Sequence, residues 1–207
     1  MPFREVLKAI AVGFATVVVS PALLSFWIRS QFMGSDRALE GSTQMLSLFP
    51  GVAGQYLRRA FLARCLAEFH PSATVGFGTI FSQAGSRLER NVYVGPGCHL
   101  GLVHLEADVL IGAGVHIPSG GTTHGTADLT IPIREQPGER RMVRVGKGSW
   151  IGSSAIVLAD VGRDTVVGAG SVVTKPLPDR VVAAGVPARV VRAREDARDH
   201  RTDLRSA

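Results

Sequence analysis

Fifteen apolar residues recur along this chain in five groups of three, with a step of six inside each group: Phe69, Val75, Phe81; Leu88, Val94, Leu100; Leu105, Ile111, Ile117; Val145, Ile151, Val157; Val161, Val167, Val173. Between groups the step becomes seven, five, twenty-eight and four, so every irregularity follows a third hexad. A chain wound round a three-sided prism has this pattern, with all its insertions leaving from one corner. Many of the residues that follow the apolar one are Gly, as at Gly76, Gly95, Gly112, Gly152 and Gly168, which suits a bend where a side chain would crowd the turn. The residue four places on is often small: Ala73, Thr79, Cys98, Ser149, Ala155, Thr165, Ser171. The spacing predicts an all-β fold, a parallel β-helix of about five coils that share one core, no single coil being stable alone.

At 207 residues and 45% hydrophobic content the chain can build one repetitive domain plus a modest extra segment. The net charge of +6 points towards nucleic acid, an anionic membrane surface or a phosphorylated ligand. The cations gather at Arg58, Arg59 and Arg64, over 134–147, and from Arg189 onward, rather than in one patch interleaved with aromatics, which argues against nucleic acid. Cys98 falls at a small inward hexad position and Cys65 in a helical stretch. Both are expected to be buried free thiols, consistent with a reducing compartment.

Residues 1–33 hold an uncharged run from Ile10 to Ile28 flanked by Arg4, Lys8 and Arg29, about long enough to cross the hydrocarbon layer. A cleaved signal peptide fits poorly, because the run continues past Ser20-Pro21 to Trp27 without a small-x-small site. A membrane-spanning helix and a re-entrant hairpin bent at Ser20-Pro21 both remain open. The plainest alternative is a buried helix that covers the end of the prism. Residues 34–68 read as a helical linker or cap: a short helix with turns over 34–54, then an arginine-rich helix from Gln55 to Phe69 that caps the first coil as a solvated element. The solenoid domain takes 69–192, with a loop over 118–144, and a charged tail of frayed helix or disorder takes 193–207.

The loop 118–144 is far longer than a connection inside a compact repeat needs, and such loops are commonly functional or disordered. It carries His124 between Gly and Thr residues. An imidazole there can serve as a general base towards a hydroxyl or amine, or simply stand in solvent. Asp128 or Glu135 are candidates to orient its ring. His104 is expected near a turn and His116 pointing outward from its coil.

The stretch VRVGKGSWIGSSAIVLADVGRDTVVGAGSVVTKPLPDRVVAAGVPARVVR, residues 143–192, resembles the C-terminal part of hexapeptide-repeat acetyltransferases such as the galactoside and maltose enzymes. The combination SGGTTHG, PIREQPGE, WIG and ADVG, with the upstream DRALEGSTQMLSLFPG, is similar to the O-acetyltransferases of surface-polysaccharide biosynthesis. The resemblance implies a left-handed winding, which spacing alone cannot tell from the right-handed one usual for parallel crossovers. It also implies an acetyl-CoA donor, no metal, a homotrimer with sites between adjacent prisms, and His124 as catalytic base. The cofactor contacts it implies are Ser153, Ala169, Thr174, Lys175, Arg189 and Arg192; each also has a plain reading as a turn residue or a solvated cation. Trp150 would pack near the cofactor or seal a subunit contact.

Taken together, these features point to O-acetylation of a saccharide in exopolysaccharide, capsule or O-antigen biosynthesis, at the cytoplasmic face of the inner membrane, without nucleic acid. A lipid-linked acceptor would explain the apolar anchor. Two alternatives keep the fold: a non-catalytic trimeric scaffold, and a transferase for longer acyl-CoA or acyl carrier protein. A third, suggested by His99 and His104 five apart, resembles the zinc-dependent carbonic anhydrases of the same fold, but lacks a third histidine at a matching position.

Overall fold

Each hexad forms a strand of two or three residues, and the strands stack into three parallel sheets. The computed structural model, which describes residues 3–195, is a parallel solenoid of about six turns. Sheet 1 carries Phe69, Leu88, Leu105 and Val145, extended by single bridges to Val161 and Leu177. Sheet 2 carries Val75, Val94, Ile111, Ile151, Val167 and Ala183, and sheet 3 carries Phe81, Leu100, Ile117, Val157 and Val173. All the periodic apolar residues are buried except Phe69, which is half-buried at the first coil. Leu177 and Ala183 add a partial coil to the five read from the spacing. That coil ends in an antiparallel pair, Val181–Gly185 with Ala188–Ala193, on the edge of sheet 2. All insertions leave from the corner between sheets 3 and 1. Of the tail, residues 196–207 lie outside the described residues.

The corners show why small and Gly residues are required. A Cβ on Gly152 would lie 2.5 Å from the backbone nitrogen of Ala169 in the next coil, so the close approach of coils excludes a side chain there. The small polar residues turn inward and bridge coils. Thr79 Oγ1 donates to Gly95 O at 2.8 Å and accepts from Cys98 N at 3.2 Å; Ser149 Oγ donates to Gly162 O at 2.6 Å and accepts from Thr165 N at 2.9 Å. Cys98 takes the same position with a thiol, Sγ donating to Gly112 O at 3.1 Å. Both cysteines are free and buried; burial pushes the Cys65 thiol up to about 12 and raises that of Cys98.

Three helices precede the solenoid: α1 (Phe3–Met33), α2 (Ser35–Ser47) and α3 (Gly51–Cys65). The third begins and ends earlier than the spacing suggests. Leu66 is already extended, and Glu68–Phe69 pairs with Arg87–Leu88, so sheet 1 claims residues expected to be helical. Helices α2 and α3 cover the open end of the core. Thr43 Oγ1 donates to Phe81 O at 3.0 Å and accepts from Phe81 N at 3.2 Å, supplying an edge strand with the partners a preceding coil would provide.

Arg58 is not a solvated cation. It is 2% exposed, with Nε donating to Val75 O at 3.1 Å and Nη1 donating to Leu46 O at 3.2 Å and Phe49 O at 2.8 Å. It ties the C-terminal carbonyls of α2 to the first coil, and burial lowers its pKa.

Helix α1 runs without interruption through Pro21, so the re-entrant hairpin is absent. It does not itself cap the prism. Ala15, Val19, Leu23 and Phe26 form a buried stripe, and Phe26 meets Phe61 of α3 edge-on at 5.9 Å. Phe14, Val17, Leu24, Ile28 and Phe32 remain exposed on the same helix.

The hydroxyl bridges make a prediction for stability. Thr165, fully buried, donates through Oγ1 to Pro178 O at 2.7 Å and accepts from Val181 N at 3.4 Å. Thr165→Val keeps the shape but leaves the Val181 amide and the Pro178 carbonyl without this partner, and should cost about 1–3 kcal/mol in denaturant unfolding. An unchanged midpoint would remove these bridges from the account of stability.

Candidate active site

The excursion 118–144 is a folded arm rather than a slack loop. Arg141 N donates to Ser119 O and Glu139 N to Thr122 O, both at 2.8 Å, which holds its outgoing and returning limbs together. A Cβ on Gly138 would overlap the Thr123 carbonyl and the His124 nitrogen, so a glycine allows the returning limb to lie against His124. Farther out, Gln136 is buried. Its Nε2 donates to Asp128 O at 2.6 Å and Ile131 O at 3.2 Å, and its Oε1 accepts from Asp128 N at 3.1 Å. Beyond this clamp Leu129 is 97% exposed, with Ile131 and Ile133 also exposed.

His124 is exposed on the outgoing limb. Neither candidate orienting carboxylate is directed to it by the bonds they form. Asp128 Oδ1 accepts from Thr130 N at 2.8 Å and Thr130 Oγ1 at 2.6 Å, which lowers its pKa, and Glu135 pairs with Arg134 at 3.5 Å. Thr123 overhangs the outer face of sheet 3, in one cavity with His99 and His116.

The pairing of those two histidines is a feature that the spacing argument did not draw. They occupy the same hexad position in consecutive coils, each just before an inward residue, and their rings meet at 5.8 Å between centroids. Partial burial, and then the neighbouring His99, lower the pKa of His116. His116 points outward as expected. His104 instead lies in the strand Val103–Leu105 on sheet 1, with Nε2 2.8 Å from Glu89 Oε1. His99 and His104 thus sit on different sheets, and among the described residues no group of three or more His, Cys, Asp or Glu is arranged to hold a metal.

The residues carried over for the cofactor fall on two corners and one edge. Ser153 and Ala169 occupy the corner between sheets 2 and 3 in consecutive coils, where Ser153 O accepts from Gly170 N at 2.9 Å. The row continues through Ala184, whose Cβ would meet a Cβ on Gly168 at 3.0 Å, to Arg189, the strand partner of Ala184. Thr174 and Lys175 lie on the other side of sheet 3, at the corner that also releases the excursion. Arg192 pairs with Val182, away from the Ser153 row. Arg189 and Arg192 each donate to an adjacent backbone carbonyl, at 3.1 Å, and among the described residues neither forms an ion pair. The small exposed corner and these cations suit a narrow pantetheine arm and phosphates, respectively. Trp150 stands 49% exposed on the outer face of sheet 2, in register with Leu110 and Val166.

Since the clamp ties residues 128–131 to Gln136, Gln136→Ala should leave the solenoid intact while admitting protease near residues 128–131. Limited proteolysis read by mass spectrometry checks this; unchanged resistance there would mean that Gln136 does not hold the tip of the arm.

No family model matches the chain. Over 60 residues it is 47% identical to a galactoside O-acetyltransferase of Escherichia coli (strain K12), covering 28% of this chain and 30% of that protein. Over 115 residues it is 36% identical to a galactoside O-acetyltransferase of Lactococcus lactis subsp. lactis (strain IL1403), covering 52% of this chain and 56% of the relative. The chain therefore spans less than two thirds of the length of either relative. A solved galactoside acetyltransferase in complex with coenzyme A superposes with a TM-score of 0.65 at 24% identity, over 82% of this chain and 86% of that one. The chain is a left-handed parallel β-helix, similar in fold and in part of its sequence to the hexapeptide-repeat acetyltransferases.

Proposed function

We propose that the chain is an acetyl-CoA-dependent O-acetyltransferase that modifies a saccharide hydroxyl in exopolysaccharide, capsule or O-antigen biosynthesis. One arrangement carries this reading: the outer face of sheet 3 runs between the small-residue row of Ser153 and Ala169 and the arm bearing His124. A thioester lying along the row would present its carbonyl towards that face. His124 takes the proton of the acceptor hydroxyl as its oxygen attacks the carbonyl carbon. The carbon–sulfur bond then breaks, the acetyl group stays on the acceptor oxygen, and the imidazolium returns its proton to the CoA sulfur. Arg189, at the end of that row, and Arg192 on the same edge strand hold the phosphates of the donor, while Lys175 and Thr174, on the far side of sheet 3, reach the donor bound by a neighbouring copy.

Assembly as a homotrimer is supported by two exposed apolar features that a second copy would cover: the arm tip at Leu129, Ile131 and Ile133, and the ladder Tyr93, Leu110 and Trp150 on sheet 2. Within such a trimer residues of the neighbouring copy would complete the cofactor site beside the His124 arm. Membrane association is supported by Ile10–Met33, a 24-residue segment long and apolar enough to cross a membrane, with its outer side uncovered. The donor is made in the cytoplasm, which puts the solenoid on the cytoplasmic face of the inner membrane.

His124→Ala should lower acetyl transfer by about 10²–10⁴-fold, with CoA affinity and thermal unfolding unchanged. Turnover equal to that of the unaltered protein would reject His124 as the base. For the membrane, flotation with phospholipid vesicles should carry the full chain to the top of a gradient, and Phe14→Glu with Leu24→Glu should leave it at the bottom. Equal flotation of the two would end the claim that this side of α1 meets lipid.

A further inference from the structure

Two polar cavities share Glu40, Ser82, Gln83 and Arg140 and so form one groove. The larger part, about 430 Å³, reaches Met33, Gly34 and Arg37, where α1 turns into α2. The other, about 330 Å³, passes across sheet 3 to the stacked His99 and His116 and ends at Thr123, the residue before His124. The smaller part alone falls within the ~300–1,000 Å³ range of small-ligand sites, so the two together accommodate more than one sugar ring. Their chemistry is suited to hydroxyls. Glu40 offers a carboxylate acceptor and Arg140 a fork of donors, and Gln83 supplies both. Arg140 and Arg37 form no ion pair among the described residues, whereas their neighbours Arg134, Arg141 and Arg144 each hold a carboxylate. Asp36, the other acid in the groove, accepts from Ala84 N at 2.9 Å and is part of the wall.

A separate, mostly apolar slot of about 410 Å³ lies along the α1–α2 seam, lined by Pro21, Ala22, Gly41 and Met45 with Ser25, Ser42 and Arg29, whose guanidinium donates to Ser42 Oγ at 2.7 Å. Phe32, 85% exposed, precedes the groove residue Met33. The polar groove, which begins at Thr123, and this slot thus both lie against the seam where α1 packs on α2.

Resting on the transferase reading above, we infer that this groove is the acceptor subsite, and that it takes a saccharide of more than one ring still attached to a lipid carrier. The sugar to be acetylated lies by His99, His116 and Thr123. Glu40 and Arg140 bind the hydroxyls that set its position, and the lipid leaves along the α1–α2 seam. These two side chains determine specificity and take no part in the proton transfer.

The full-length protein in detergent would be incubated with radiolabelled acetyl-CoA and two fractions from cells of the source organism: solvent-extracted lipid-linked saccharides, and water-soluble nucleotide sugars. Label should enter the lipid-linked fraction. Glu40→Gln and Arg140→Gln, both at exposed positions, should raise the KM for that fraction at least tenfold with the KM for acetyl-CoA unchanged. Label confined to the nucleotide sugars, or no change in KM for either variant, would overturn the inference and leave the transferase standing. No label in either fraction would overturn both.

Discussion

Everything in this fold depends on hydrogen bonds that run between coils rather than within them. A backbone amide in one coil finds its carbonyl in the next, as Gly95 N does at Ile111 O and Gly112 N at Ile151 O. Coils must therefore approach as closely as neighbouring strands do, which excludes a Cβ at Gly152 and favours a small hydroxyl where an inward corner residue can bridge two coils. The same dependence leaves both ends with unpaired groups. Helices α2 and α3 answer at one end through Thr43 and Arg58, and the antiparallel strand Ala188–Ala193 answers at the other.

The three corners are not equivalent. Between sheets 1 and 2, and between sheets 2 and 3, the third residue after the inward one is left-handed in most coils: Asn91, Asp108 and Asp164 at the first, Gly97, Gly114 and Ser154 at the second. Such turns keep the step at six. The corner between sheets 3 and 1 lacks this constraint and absorbs steps of seven, five, twenty-eight and four. The arm leaves there at Gly120, also left-handed, and folds over sheet 3. A rigid prism thus supplies fixed rows of side chains, and one variable corner supplies the reactive segment.

The inward residues, small corners and excursion boundaries were legible because a period of six repeated over five coils leaves little freedom in register. The helices were less so. An arginine in an apolar helix reads as a surface cation until the carbonyls of Leu46, Phe49 and Val75 are seen around Arg58. Asp128 lay close enough in sequence to suit an orienting role, yet the Asx-type turn at Thr130 takes its carboxylate. Conversely, His99 and His116 are seventeen residues apart and become neighbours only because one coil is that long there.

By itself the sequence determined the period, the inward set, the single corner of insertion and an apolar helix of membrane length, all of them consequences of local spacing and composition. Tertiary structure alone decided which side of that helix is covered, that Arg58 is a buried tie, and that a polar groove joins the α1–α2 turn to the segment next to His124. These arise from contacts between residues distant in sequence, whose meeting is set by the stacking of coils and the seating of helices on their open end.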